Sequence, residues 1–337
     1  MAQPITLLAF SGHEHLRTRV VLSVLSGKQV KIDKIRSDDK NPGLREPIIM
    51  LAPFAKRPFQ LTLRGITTDE HDLSVDLLRT VTLPHLQFFG ISDGLELRIK
   101  KRGDPPLGGG EVQFLCPIVK QVKTLNFVEP GKIKRIRGVA HAVRVNPQFS
   151  NRMIEAARSV LNRYIPDIYL YSDVYKGEES GKSPGYALSL LAESTTGALH
   201  CAEAASEPGV VPEDIALKAT RALLTEIEKG GCVDRKHQCL VLLYMVLGSE
   251  DVGRCVMGEP TPRTIQFLRD VKEFFATSFK IASADPSDPE CKQLTYSCYG
   301  TGYATDITEG PYYPQYQPFR DCEGLTVAPL LQTRRST

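Results

Sequence analysis

The chain has 337 residues, of which 42% are apolar and 24% charged, with a formal net charge of +3. That length can bury a large core and accommodate two domains. So small a charge gives no ground by itself for nucleic-acid binding, which has to rest on locally basic stretches. No run approaches a membrane span, Gly12, His13 and Glu14 interrupt any apolar leader, and eight cysteines are scattered without a CxxC pair. Neither a metal site nor a disulfide framework is therefore expected, and free thiols in a reducing compartment, cytosol or nucleus, are.

Residues 5–9 read as a strand, with Phe10 as an extension, and a helix starts at the Ser11–Glu14 turn. Ser11 and Glu14 have capping-box spacing, Leu16, Val20, Val24 and Leu25 recur at helical intervals, and Gly27 can stop the helix. A strand-to-helix turn of this kind favours an anion, and Arg17 and Arg19 add charge beside it. Val30, Ile32 and Ile35 form a second strand, residues 44–54 a short helix, and Phe59–Gly65 a third strand. The spacing of Leu73, Leu77 and Leu78 predicts a helix over 69–78 capped by Thr67 or Thr68, continued over 83–89. Residues 95–101 and 111–119 are strands joined by Arg102-Gly103-Asp104-Pro105-Pro106-Leu107-Gly108-Gly109-Gly110. This recurrence suggests a repeated α/β unit.

Near Lys132 the character changes. Four cations alternate with isoleucines through Lys132-Ile133-Lys134-Arg135-Ile136-Arg137, which suits either a solvated edge strand or an RNA contact. A helix follows, capped by Asn146 or Ser150, then strands at 168–173 and 186–192, then a helix opened by Pro212 and stopped by Gly230-Gly231. Residues 133–232 thus form an α/β package that reads as an inserted domain. Asp234 caps the next helix, whose residues 239–247 are apolar on nearly all sides. Pro262–Phe275 is the last helix, strands at 279–282 and 293–298 close the fold, and residues 306–337 read as a disordered tail.

Single motifs decide little. Residues 177–183 have three residues between their glycines where a P-loop needs four, and Pro184 sits where its helix should begin. The run Gly108-Gly109-Gly110 beside Lys100, Lys101 and Arg102 fits a phosphate contact or a plain hairpin end. Arg269 and Lys272 share a helix face, and Asp270 between them is a candidate base for RNA cleavage or simply part of a solvated face.

Taken together, several stretches resemble the RNA 3′-terminal phosphate cyclase family. They are residues 12–17 with Leu22-Ser23-Val24-Leu25-Ser26-Gly27-Lys28, then Lys34-Ile35-Arg36 with Asn41-Pro42-Gly43-Leu44, residues 102–112, and Ser180-Gly181-Lys182-Ser183-Pro184-Gly185. Arg135-Ile136-Arg137-Gly138, Asn151-Arg152-Met153 and Gly230-Gly231-Cys232-Val233-Asp234 are similar to its non-cyclising branch, which serves ribosome biogenesis. The fold so implied is α+β: a large domain of repeated βαβαββ units, here residues 1–132 and 233–305, with the smaller α/β domain inserted at 133–232. Cyclases carry AMP on a histidine just before the last helix. Here that place reads Glu259-Pro260-Thr261-Pro262-Arg263-Thr264-Ile265, and no histidine follows residue 237. Arginine cannot replace it, because its guanidinium stays protonated. The family also carries several dozen residues after Asn-Pro-Gly-Leu that this chain lacks beyond Leu44.

The resemblance implies early pre-ribosomal RNA processing for the small subunit in the nucleus and nucleolus, without cyclisation, cofactor or membrane. Its expected partners are a ribosome-assembly GTPase, a small nucleolar ribonucleoprotein and pre-ribosomal RNA. A basic surface of Arg17, Arg19, Lys34, Arg36, Lys101 and Arg102 is expected to bind RNA phosphates or a partner. RNA cleavage by Arg269, Asp270 and Lys272, or a residual ATP-dependent cyclase, are the alternatives.

Overall fold

A computed structural model describes residues 8–11, 16–26, 30–33, 48–55, 58–70, 72–207, 209–288 and 290–305. The tail expected at 306–337 lies outside the described residues, as do Lys34 and Arg36.

The chain opens with β1 (Leu8–Ser11), α1 (Leu16–Ser26) and β2 (Val30–Asp33), and β1 pairs with β2 in parallel. A short α2 (Ile48–Leu51) runs into a 3₁₀ turn at Ala52–Phe54 and is followed by β3 (Phe59–Gly65). Next come α3 (Val75–Leu77), a π-helical stretch at Leu78–Thr82 and α4 (Leu83–Phe88). The helix expected over 69–78 therefore begins later. Ser74, not Thr67 or Thr68, caps it by accepting from the Leu77 N–H. Thr67 is already committed: its hydroxyl bridges both backbone groups of Gly103. Strands β4 (Glu96–Lys101) and β5 (Gly110–Cys116) complete a three-stranded antiparallel sheet of order β3-β5-β4.

After the short β6 (Asn126–Phe127) come β7 (Ile133–Val143), α5 (Gln148–Leu161), β8 (Ile168–Tyr175), β9 (Gly185–Ser194), β10 (Leu199–Ala205) and α6 (Pro212–Lys229). The four strands form one sheet, β10-β9-β7-β8, in which β7 runs parallel to β8 and antiparallel to β9. Both helices cover one face, and their apolar stripes close a core of Met153, Ala157, Leu161, Ile215, Ala219 and Leu223 against Ile136, Ala140, Leu188 and Leu190. Pro212 at the helix start, acids in the first turn, Lys229 in the last and Gly230 at φ 66° explain the bounds of α6. Strand β10 went unrecognised in the sequence because Leu-His-Cys-Ala-Glu-Ala-Ala has little β propensity; its full pairing with β9 overrides that.

The last part comprises α7 (Gln238–Leu247), β11 (Val252–Met257), α8 (Pro262–Phe275), β12 (Lys280–Ser283) and β13 (Leu294–Tyr299). Asp234 caps a turn just ahead of α7, accepting from the Lys236 and His237 N–H groups, and every residue of α7 is buried. Together with β6 this is a βαβαββ unit whose sheet runs β12-β13-β11-β6, with β6 and β11 parallel. Strand β11 was also unexpected, since Gly253 and Arg254 interrupt its apolar pattern.

That unit gives a template for the rest. The β3-β5-β4 sheet repeats the order of β11, β13 and β12, without a strand in the place of β6. The parallel pair β1-β2 matches β6 and β11, without the two closing strands. Among the described residues, three strands of the pattern are thus missing between β2 and β3.

Candidate functional site

The two loops that stood out in the sequence meet. Gly181 N–H donates to the Arg102 carbonyl at 2.5 Å, Lys182 N–H to the Gly108 carbonyl at 2.8 Å, and Leu107 N–H to Ser183 Oγ at 3.0 Å. Glycine is required here for approach rather than for flexibility. A Cβ on Gly103 would lie 2.3 Å from the Gly110 nitrogen, and one on Gly181 2.4 Å from the Gly108 oxygen.

Beneath these loops Arg102 is fully buried, so it does not contribute to the basic surface expected of it. Its Nη1 and Nη2 donate to the Asp76 carboxylate at 2.6 and 2.8 Å, and its Nε to Asp173 at 2.9 Å. Burial alone would lower the guanidinium's pKa, but Asp76 and Asp173 more than offset that and hold it above its ordinary value. Asp76 shows the mirror image: burial pushes its pKa up, and Arg102 brings it below the usual carboxylate range. His141 Nδ1 lies 3.5 Å from Arg102, and its Nε2 lies 3.2 Å from Asp104. The cluster ties α3 and the loop after β4 to β7 and β8. Asp76, Asp104, His141 and Asp173 were not singled out in the sequence. The one available signal was His141, a polar residue inside the apolar run Val139-Ala140-His141-Ala142-Val143.

A cavity of about 460 Å³ opens beside this cluster, between the π-helical stretch and the face of the β7–β8 sheet turned away from α5 and α6. Arg79, Thr80, Arg137, Tyr171 and Asp173 line it. A second buried cluster lies at the other edge of the same helix. His237 stacks on His85 with ring centroids 5.0 Å apart, its Nδ1 is 2.9 Å from Asp234, and its Nε2 is 2.8 Å from Thr82 Oγ1. Cys201, Asp234 and His237 offer three ligand atoms within 4.8 Å of one another. Asp234 is already served there by the Cys201 thiol, two backbone N–H groups and the His237 ring. Such a set of hydrogen bonds satisfies the carboxylate without an ion.

The remaining expected residues are dispersed. Asp270 is buried and bonded to Arg19 Nε at 3.4 Å and Gln266 Nε2 at 2.9 Å, whereas Arg269 and Lys272 on the same helix are exposed. Asp270 thus pins α8 to α1 instead of standing open beside the two cations. Arg17 lies on α1, but its side chain is outside the described residues, and Lys101 ends β4 opposite Glu111. The turn between β11 and α8 is tightly bonded: Thr261 caps α8, and Gln238 Oε1 accepts from Thr264 Oγ1 at 2.7 Å.

A family model described as RNA 3′-terminal phosphate cyclase insert domain matches residues 128–228, and one described as RNA 3′-terminal phosphate cyclase matches residues 8–47. The chain is 42% identical over 367 residues to the RNA 3′-terminal phosphate cyclase-like protein of Homo sapiens, covering 90% of this chain and 98% of the relative. It is 38% identical over 355 residues to an rRNA processing protein of Schizosaccharomyces pombe, covering 88% and 96%. To an rRNA processing protein of Saccharomyces cerevisiae it is 33% identical over 339 residues, covering 83% and 92%. The first alignment is longer than the 337-residue chain, so it opens gaps that the relative fills.

Proposed function

The chain belongs to the RNA 3′-terminal phosphate cyclase-like protein family, and we propose that it is a non-cyclising factor in early pre-ribosomal RNA processing for the small subunit. It would act in the nucleolus, with pre-ribosomal RNA, an assembly GTPase and a small nucleolar ribonucleoprotein as partners. Two relatives along most of the chain are rRNA processing proteins, which supports the RNA side of this reading. The observation that carries the non-cyclising side is the turn before α8. Where a cyclase would hold its nucleophilic histidine, Glu259, Pro260, Thr261 and Arg263 stand, and Gln238 and Thr264 fill the hydrogen bonds around them. Neither a carboxylate nor a guanidinium can carry AMP as the phosphoramidate that imidazole forms. Cleavage by Asp270 is disfavoured by its burial against Arg19.

Incubation with ATP labelled in its α-phosphate tests the non-cyclising half. No protein-bound AMP is expected; a stable adduct at stoichiometric yield would overturn it.

The same reading holds that a segment is missing between β2 and β3. The incomplete sheets, the end of the cyclase match at residue 47 and an alignment longer than the chain all support it.

A further inference from the structure

We propose that the open face of the β7–β8 edge binds single-stranded RNA by stacking bases on Tyr169 and Tyr171. The inference rests on the RNA-processing reading above and names a site for it away from the basic residues first expected to serve.

Along β8, Leu170 is buried toward the helices and Ser172 bonds Ser150 of α5, so Tyr169, Tyr171 and Asp173 point to the opposite face. Their register partners on β7 are Arg137, Val139 and His141. At one end of this face His141 is buried and the partly exposed Asp173 is tied to Arg102. At the other end the two tyrosines are 51% and 54% exposed, at the free edge of the sheet. Their rings meet edge to face at 4.5 Å, which fixes both without covering either.

A single exposed tyrosine is ordinary. Here one ring of a held pair, Tyr171, borders a cavity of about 460 Å³, a size within the range of small-ligand sites (about 300–1,000 Å³). The cavity also supplies charge. Arg79 stands 3.8 Å from Asp76, whose carboxylate is already committed to both Nη atoms of Arg102. The half-exposed guanidinium of Arg79 is therefore left to attract a phosphate, whereas Arg137, beside Tyr171 on the same wall, is already held by Asp167 at 2.9 and 3.0 Å. Aromatic faces with an arginine at their side are the chemistry of single-strand recognition, because unpaired bases can splay onto them and duplex bases cannot.

The test measures binding of the full chain to a fluorescent single-stranded RNA of about twelve nucleotides, within the usual site sizes for such proteins. Wild type is compared with the double variants Tyr169→Ala/Tyr171→Ala and Tyr169→Phe/Tyr171→Phe. The alanine pair should weaken binding about tenfold or more. The phenylalanine pair should stay near wild type, with unfolding midpoints unchanged because both side chains are more than half exposed. Unlabelled duplex of the same sequence should compete poorly. Wild-type affinity in the alanine pair would overturn this site, leaving the RNA reading intact and the tyrosines as a protein contact. Equal loss in both pairs, or full competition by duplex, would overturn stacking. No RNA binding by wild type would overturn the RNA reading and this site with it.

Discussion

Arg102 links two parts of the fold through charge. With no exposure, it is a cation shared by two carboxylates that belong to different elements. Removing Arg102 leaves the buried Asp76 carboxylate desolvated and unpaired, at a cost of about 3–5 kcal/mol. Arg102→Ala should show that loss in denaturant unfolding, and Arg102→Lys should rescue little of it, because an ammonium cannot serve Asp76 and Asp173 with a fork. A loss below about 1 kcal/mol would mean that the cluster is not structural. His85 adds a pH dependence. Burial first, and His237 second, lower its pKa from 6.5 to about 4, and its Nδ1 faces the Val81 carbonyl while its Nε2 has no partner among the described residues. The unfolded chain therefore takes the proton more readily than the folded one. Stability should be full above pH 6.5 and fall as pH drops toward 4, by about 3 kcal/mol from this residue. Asp76, held below 3.8, acts in the lower window: its contribution is present above that value and is lost as pH falls through its folded pKa. Denaturation midpoints followed from pH 7.5 to 3.5 check the His85 part, and extending the series to about pH 2 checks Asp76; a flat profile between 6.5 and 4 would contradict the assignment for His85.

At the scale of elements, β3 is an edge strand among the described residues. Its residues from Thr62 to Gly65 are exposed, Leu63 at 40%, and a groove beside it is lined by Ile49, Leu63, Val112 and Phe114. An exposed apolar edge invites pairing with other chains. Inserting the relatives' segment after Leu44 should raise the melting temperature and reduce aggregation; an unchanged melting temperature would show that the chain does not need those strands. Helices with both a stop signal and a stripe were readable from sequence: α6 and α8 have the bounds that Pro212, Gly230 and Pro262 announce. Strands β10 and β11 were not, because pairing rather than local composition makes them strands. The site was legible only in part. The sequence picked out the glycine-rich loop and residues 180–185, but that they pack on each other, with Arg102 sealed beneath, follows from long-range contacts that no local pattern encodes. The tyrosine pair shows the same limit. Alternation places Tyr169 and Tyr171 on one face of β8, but that β8 is an edge strand among the described residues follows from long-range pairing.

Across the whole molecule, α7 and α8 center one core, the β7–β10 sheet with α5 and α6 holds a second, and the Arg102 cluster joins them. The seam is thus a buried polar cluster on one side and open as a cavity on the other. No helix among the described residues is long and apolar enough to cross a membrane. The most direct measurement of the proposed role is capture of the tagged full chain from nucleolar extract after ultraviolet crosslinking, with the bound RNA sequenced. Strong enrichment of small-subunit precursor RNA over a mock capture is predicted. Recovery of mature or messenger RNA alone, or of no RNA above the mock, would contradict it.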